Sequence, residues 1–306
     1  MMLALLAAAL WALSCVIDVC FVGEGIFTNP MDGTVITGLF CILPLGLLLP
    51  QAGAWHDVPM PAGVAAASAG IFYFLHVYFY FRALFALNDG SNAEIFNNLT
   101  VLFVPFLAFV ILGERLPPVI YVATLLAFAG VIVLLRGQVG RIEPRLIFHL
   151  MLAVVCVSLS TVLQAGALQQ IEYANAVVIF SVACFLCSVL VVVANRSLRR
   201  NTVGLCRRFG AVFVAMQAID IAAVLASQRS TEIAPSVTLV AITESTLPLF
   251  IMIFSLGTVL VLRYRSTLSA RVRAALLTQT SGWHSKTLSL LLIVSAIAVM
   301  QFGLPN

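Results

Sequence analysis

Long apolar stretches, each ended by a short polar break, follow one another along the whole chain. They fall at about 2–22, 33–50, 62–87, 94–112, 118–135, 146–170, 174–194, 209–227, 235–262 and 287–302. Most meet the roughly 17–25 residues that a helix needs to cross a bilayer core, while the second and the last are short. The pattern predicts ten transmembrane helices. Moving the first four bounds along by about 143 residues brings them close to spans six to nine, with Pro105 falling on Pro248 and Thr100 on Thr243. Little other side-chain identity survives at that offset, so what repeats is layout. Five spans per half is an odd number, so the second half must enter from the opposite face. The fold class expected is therefore an all-α integral membrane protein with ten transmembrane helices as two inverted five-helix repeats, over 1–140 and 141–306. The last span departs from the offset, because about 26 extra residues precede it.

Composition agrees. The 306 residues are 62% hydrophobic and 9% charged, against about 25% charged in soluble domains, and mean hydropathy is +1.11. This excludes a soluble domain. The first run has the apolar core of a signal peptide but no basic residue before it, and it is long enough to span, so it reads as the first transmembrane helix. Six of the seven cysteines lie within apolar runs and Cys206 near a loop. Cys184 and Cys187 form a CxxC with no second pair and no polar context, which reads as small apolar packing. No metal or other cofactor is expected.

The net charge of +4 is carried mainly by arginine in loops, which bears on orientation and gives no reason to expect a nucleic acid partner. Thirteen Lys/Arg lie in 136–145, 195–208 and 263–286, all on one side of the membrane in the ten-span reading. The other side has Arg115 and Arg229. The positive-inside rule then places the thirteen in the cytoplasm and both termini outside. Within 263–286, Tyr264, Leu268, Val272, Ala275 and Leu276 make an apolar stripe, with Arg263, Arg265, Arg271 and Arg273 mostly off it. A basic amphipathic helix on an anionic leaflet is one reading; a solvated loop is the other.

Polar residues inside the spans carry the candidate chemistry. In "LNDGSNAEIFNNLTVLFVP", Leu87 to Pro105, Ser91 and Glu94 have capping-box spacing, which accounts for Asp89, Ser91, Asn92 and Glu94 as turn and cap. Asn97 and Asn98 share a helical face with Glu94, Val101 and Pro105. That face should look into the bundle, to line a cavity or to bond a neighbouring helix. Asp220 and Glu244 lie deep in spans eight and nine, and Asp18 lies near the end of the first, where it can snorkel. An acid at a helix centre costs about 2.5–3.5 kcal/mol on insertion scales. Such acids either pair with Arg82, the only basic residue within a span, or serve a cavity. On the third span Tyr73, His76 and Tyr80 share one face, and Tyr78, Arg82 and Phe85 roughly the opposite one. Tyr78 suits an interfacial belt. His76 lies too deep for that, which leaves hydrogen-bonded filling or a proton relay.

The run "YFRALFALNDGSNAEIFNNLTVLFVPFLAFVILGERLPP" resembles the EamA-type domain of the drug/metabolite transporter superfamily. Phe81, Ala83 and Leu84 match the end of that family's third helix, Pro105 the proline of its fourth, and Leu112, Gly113 and Glu114 its Leu-Gly-Glu ending. The second half echoes it through Pro248, without a glutamate after Gly257. The resemblance implies ten helices, an inverted repeat, and export or exchange of small metabolites. Many relatives have their termini inside and basic residues after the second helix; here "QAGAWHDVPMP" has none.

The expected function is secondary active transport of a small organic metabolite by alternating access in a bacterial inner membrane, as a monomer or homodimer. Asn97, Asn98, Arg82, Tyr73, His76 and Tyr80 are the expected substrate-binding residues, with Asp220 and Glu244 as coupling groups. Rivals are a lipid or lipid-linked-sugar translocator and a non-transporting accessory or sensor protein. No histidine cluster, metal-spaced ligand set or nucleophile triad suggests an enzyme.

Overall fold

Apolar side chains offer the backbone no hydrogen bonds, and hydrocarbon offers none either, so a chain of this composition satisfies its amides within helices. Among the residues described by the computed structural model (1–87, 96–136, 143–263, 270–278 and 283–303), every regular element is helical. Seven helices are long and apolar enough to cross a membrane, from Met2–Gly23 to Val237–Val261. Three shorter apolar helices, Thr100–Leu112, Pro118–Val133 and Thr287–Val299, fall on the remaining apolar runs. Asp89, Ser91, Asn92 and Glu94, with the expected capping box, lie outside the described residues.

In chain order the helices are α1 (Met2–Gly23), α2 (Pro30–Phe40), α3 (Leu43–Leu48), α4 (Met60–Leu87), α5 (Thr100–Leu107), α6 (Pro118–Arg136), α7 (Pro144–Leu168), α8 (Tyr173–Ala194), α9 (Arg196–Ile233), α10 (Val237–Glu244), α11 (Leu247–Arg263), α12 (Ala270–Thr278) and α13 (Trp283–Gly303). A wide turn over Ala108–Leu112 extends α5. It closes on Gly113, whose φ of 67° lies in the left-handed region that glycine adopts without strain. Just beyond, Glu114 accepts a hydrogen bond from the Thr238 hydroxyl at 3.4 Å, tying this corner to the start of α10.

Proline cuts two of the apolar runs. Its ring clashes with the carbonyl four residues back, so one run breaks at Cys41–Ile42 before Pro44 and another at Ser245–Thr246 before Pro248. At the second break the Ser245 hydroxyl donates to the Ile242 carbonyl at 2.6 Å and the Thr246 hydroxyl to Thr243 at 2.8 Å. Carbonyls freed by the break are thus satisfied without water. Pro105, expected to correspond to Pro248, sits inside α5 instead, and the chain there turns earlier, at Asn98–Leu99.

The expected loop 195–208 is not a loop. After the cap at Asn195, α9 runs unbroken for 38 residues, about 57 Å at 1.5 Å per residue, against a core of about 30 Å. Arg196, Arg199, Arg200, Arg207 and Arg208 are all exposed, while Leu198, Thr202 and Leu205 bury the opposite stripe. Asn201 Nδ2 donates to Asp32 Oδ1 at 2.7 Å. The other oxygen of Asp32 accepts from the Thr28 amide, the Thr28 hydroxyl and the Asn29 amide at 2.8–3.1 Å. This fully buried carboxylate is saturated with donors, which makes it a structural link between α2 and α9.

The described part of 263–286 includes the helix α12, which carries part of the expected apolar stripe. Val272 and Leu276 on α12 are fully buried, with Val272 packed on Gly23 at the end of α1, so part of the apolar stripe is spent on the bundle itself. Residues 264–269 and 279–282 lie outside the described residues. Elsewhere α4 packs on α7 and α8, α1 on α9 and α11, α2 on α8 and α9, α5 on α7 and α10, and α6 on α13.

Candidate functional site

A cavity lies where α1, α4, α5, α9 and α10 meet, with about 960 Å³ of empty space including the part open to its surroundings. Each wall follows from helical spacing. On α1, Trp11, Ser14 and Asp18 recur at three and four residues and so share one face. On α4, Tyr73, His76 and Tyr80 do the same, with ring centroids 6.1 Å and 6.4 Å apart in succession. Asp220 enters from the middle of α9, and Thr37 and Thr161 come from α2 and α7.

Two of the three chain breaks, at Asn98–Leu99 and Ser245–Thr246, border the same space. Asn97 and Asn98 lie at the turn before α5, and Glu244 is the last residue of α10. Asn98 is 5% exposed, and its amide nitrogen has no hydrogen-bond partner among the described residues. One Glu244 oxygen is in the same state, while Ser227 lies within hydrogen-bonding reach of the carboxylate. Buried polar groups are nearly always paired, and these two can take a partner from the cavity.

Asp220 is held more firmly. The Tyr73 hydroxyl donates to its Oδ2 at 3.3 Å, and Ser14 lies within reach. His76 Nδ1 is 3.1 Å from the Ala153 carbonyl. A carbonyl can only accept, so Nδ1 carries the proton, and in the neutral form of the ring Nε2 is left as an acceptor. His76 is therefore both hydrogen-bonded and part of the cavity wall.

Of the eight residues expected to form the site, seven converge here: Tyr73, His76, Tyr80, Asn97, Asn98, Asp220 and Glu244. Arg82 does not. It lies nine residues after Tyr73, half a turn around α4, and its Nη1 donates to the Tyr78 hydroxyl at 3.0 Å. Among the described residues no ion pair joins it to Asp220 or Glu244. Asp18, which by its position could snorkel, is 6% exposed and lines the cavity. Trp11 and Ser14 were invisible as site residues in so apolar a run; their spacing to Asp18 was the one available signal.

Residues 1–136 match the model of the EamA-like transporter family. That half of the chain is an EamA-like transporter domain. Its Leu112-Gly113-Glu114 ending is the left-handed corner described above. The EamA-like half contributes Trp11, Asp18, Tyr73, His76, Tyr80 and both asparagines to the cavity, and the remainder contributes Asp220 and Glu244. With seven helices long and apolar enough to cross a membrane, this is a multi-pass membrane protein, and its residues 1–136 are similar to a family of transporters. A solved structure described only as "Crystal structure of protein" is 17% identical with a TM-score of 0.62, over 99% of this chain and 96% of its own. At that identity it shows a shared fold and nothing more. No curated protein matches the sequence.

Proposed function

We propose that the EamA-like chain is a secondary transporter, a ten-helix inverted repeat that moves a small organic solute across a bacterial inner membrane by alternating access. The observation that carries this is the meeting of ionisable and amide side chains from both halves in one cavity bordered by two helix breaks. Broken helices at the interface of repeats are where transporters of this architecture hold solute and coupling ion. The packing supports the repeat. With spans one and six exchanged, and three and eight, the contact of α1 with α9 becomes that of α7 with α4, and the pairing of α6 with α13 maps onto itself. Tyr73, His76, Tyr80, Asn97 and Asn98 bind the solute in this reading, and Asp220 and Glu244 couple its movement to protons. Counterflow in proteoliposomes tests it: a preloaded solute should drive uptake of its labelled twin. A pure sensor or accessory protein would show none.

Orientation follows the charges. The arginine face of α9 and the exposed Arg273 of α12 are placed on the cytoplasmic side against anionic headgroups. In a background lacking accessible cysteines, a membrane-impermeant thiol reagent should label His56→Cys in intact cells and spare Arg199→Cys. The reverse pattern would invert the assignment.

A further inference from the structure

We infer, resting on the reading of the cavity as a transport site, that the solute is an organic cation: an amine or quaternary ammonium compound that also bears an oxygen acceptor. Three carboxylates, Asp18, Asp220 and Glu244, enter one cavity from both halves of the chain, and no lysine or arginine lines it among the described residues. Arg82, the nearest basic candidate in the sequence, faces away and is engaged by Tyr78. Ionised carboxylates in a water-poor space are costly unless a positive partner accompanies them. A cationic guest supplies that partner to Asp220 and Glu244. An anionic guest adds like-charge repulsion in a medium that screens it poorly.

The rest of the wall suits the same guest. Trp11, Tyr73 and Tyr80 present aromatic rings, whose negative faces attract alkylammonium groups. The acids stand on different helices around the space, and among the described residues no cluster of three or more ligating side chains has the closeness a metal ion requires. That spread fits a charge carried by a bulky body. Asn98, deeply buried with its amide nitrogen unpartnered among the described residues, adds a neutral donor for an oxygen on the guest.

Trp11 provides the readout. The chain has three tryptophans, so Trp55→Phe with Trp283→Phe leaves the one in the cavity wall. The purified full-length protein is titrated with choline, tetramethylammonium, glucose and glucose 6-phosphate while Trp11 fluorescence is followed. Both cations should give a saturable change, choline the tighter, and Asn98→Ala should remove choline's advantage. Asp220→Asn and Glu244→Gln, checked for unchanged melting, should each weaken cation binding by at least about tenfold. A saturable response to glucose 6-phosphate or glucose alone, no response to either cation, or cation binding untouched by both amides would overturn the inference. Choline counterflow in proteoliposomes separates the two readings. Cations bound but never moved would uphold the cation site and sink the transporter; solutes moved without cation binding would do the reverse.

Discussion

Replacing Asp220 by asparagine is expected to cut uphill solute uptake in proteoliposomes by about tenfold or more, while exchange at saturating solute continues, because an amide cannot take up a coupling proton. The substitution keeps volume and shape. The Tyr73 hydroxyl that now donates to Oδ2 at 3.3 Å can donate equally to an amide oxygen, so this link between α4 and α9 should survive. What is lost is the charge. Glu244→Gln asks the same question of the second acid, whose carboxylate ends α10 at the Ser245–Thr246 break and has one oxygen unengaged by the described protein. Driven uptake and exchange are measured side by side with each variant. Loss of the first with retention of the second identifies the coupling acid. Full driven uptake in both variants would make the two acids structural, and the coupling assignment would fall.

Gly70→Leu is expected to destabilise the bundle by about 1–3 kcal/mol or more, the cost of forcing extra methylenes into a filled contact. A Cβ placed on Gly70 would stand 2.2 Å from the Phe180 carbonyl oxygen and 3.1 Å from Ala183 Cβ. The first obstacle is backbone, which cannot swing aside as a side chain can, so α4 and α8 must separate. Membrane helices approach this closely only through small residues. The damage should also reach the cavity, because Phe180 packs on Tyr73 with ring centroids 5.4 Å apart. Gly46→Leu is the control, since a Cβ there meets nothing within 4 Å. Thermal melting in detergent should show a large loss for the first and little change for the second. Equal melting would refute the close approach of α4 to α8.

Much of this protein is a matter of local period and composition. Runs of apolar residues long enough for a bilayer core become helices because no other backbone conformation is satisfied there, and the described helices fall on those runs. Period alone also put Tyr73, His76 and Tyr80 on one face of α4 and Arg82 on the other. It could not say which face meets a cavity. That was decided by how closely neighbouring helices approach, through contacts such as Gly70 on Phe180, and by the rotation those contacts impose. Arg82 was therefore turned toward Tyr78, and Asp18 inward, although each had a plausible alternative. Pro248 was legible, but the break before it became useful only because Glu244 stands at its edge facing Asp220's cavity. The arginines of 196–208 read as a loop because polar residues interrupt the apolar run. Tertiary packing of Leu198, Thr202 and Leu205, and the bond from Asn201 to Asp32, instead carry α9 on as one helix beyond the length of a bilayer core.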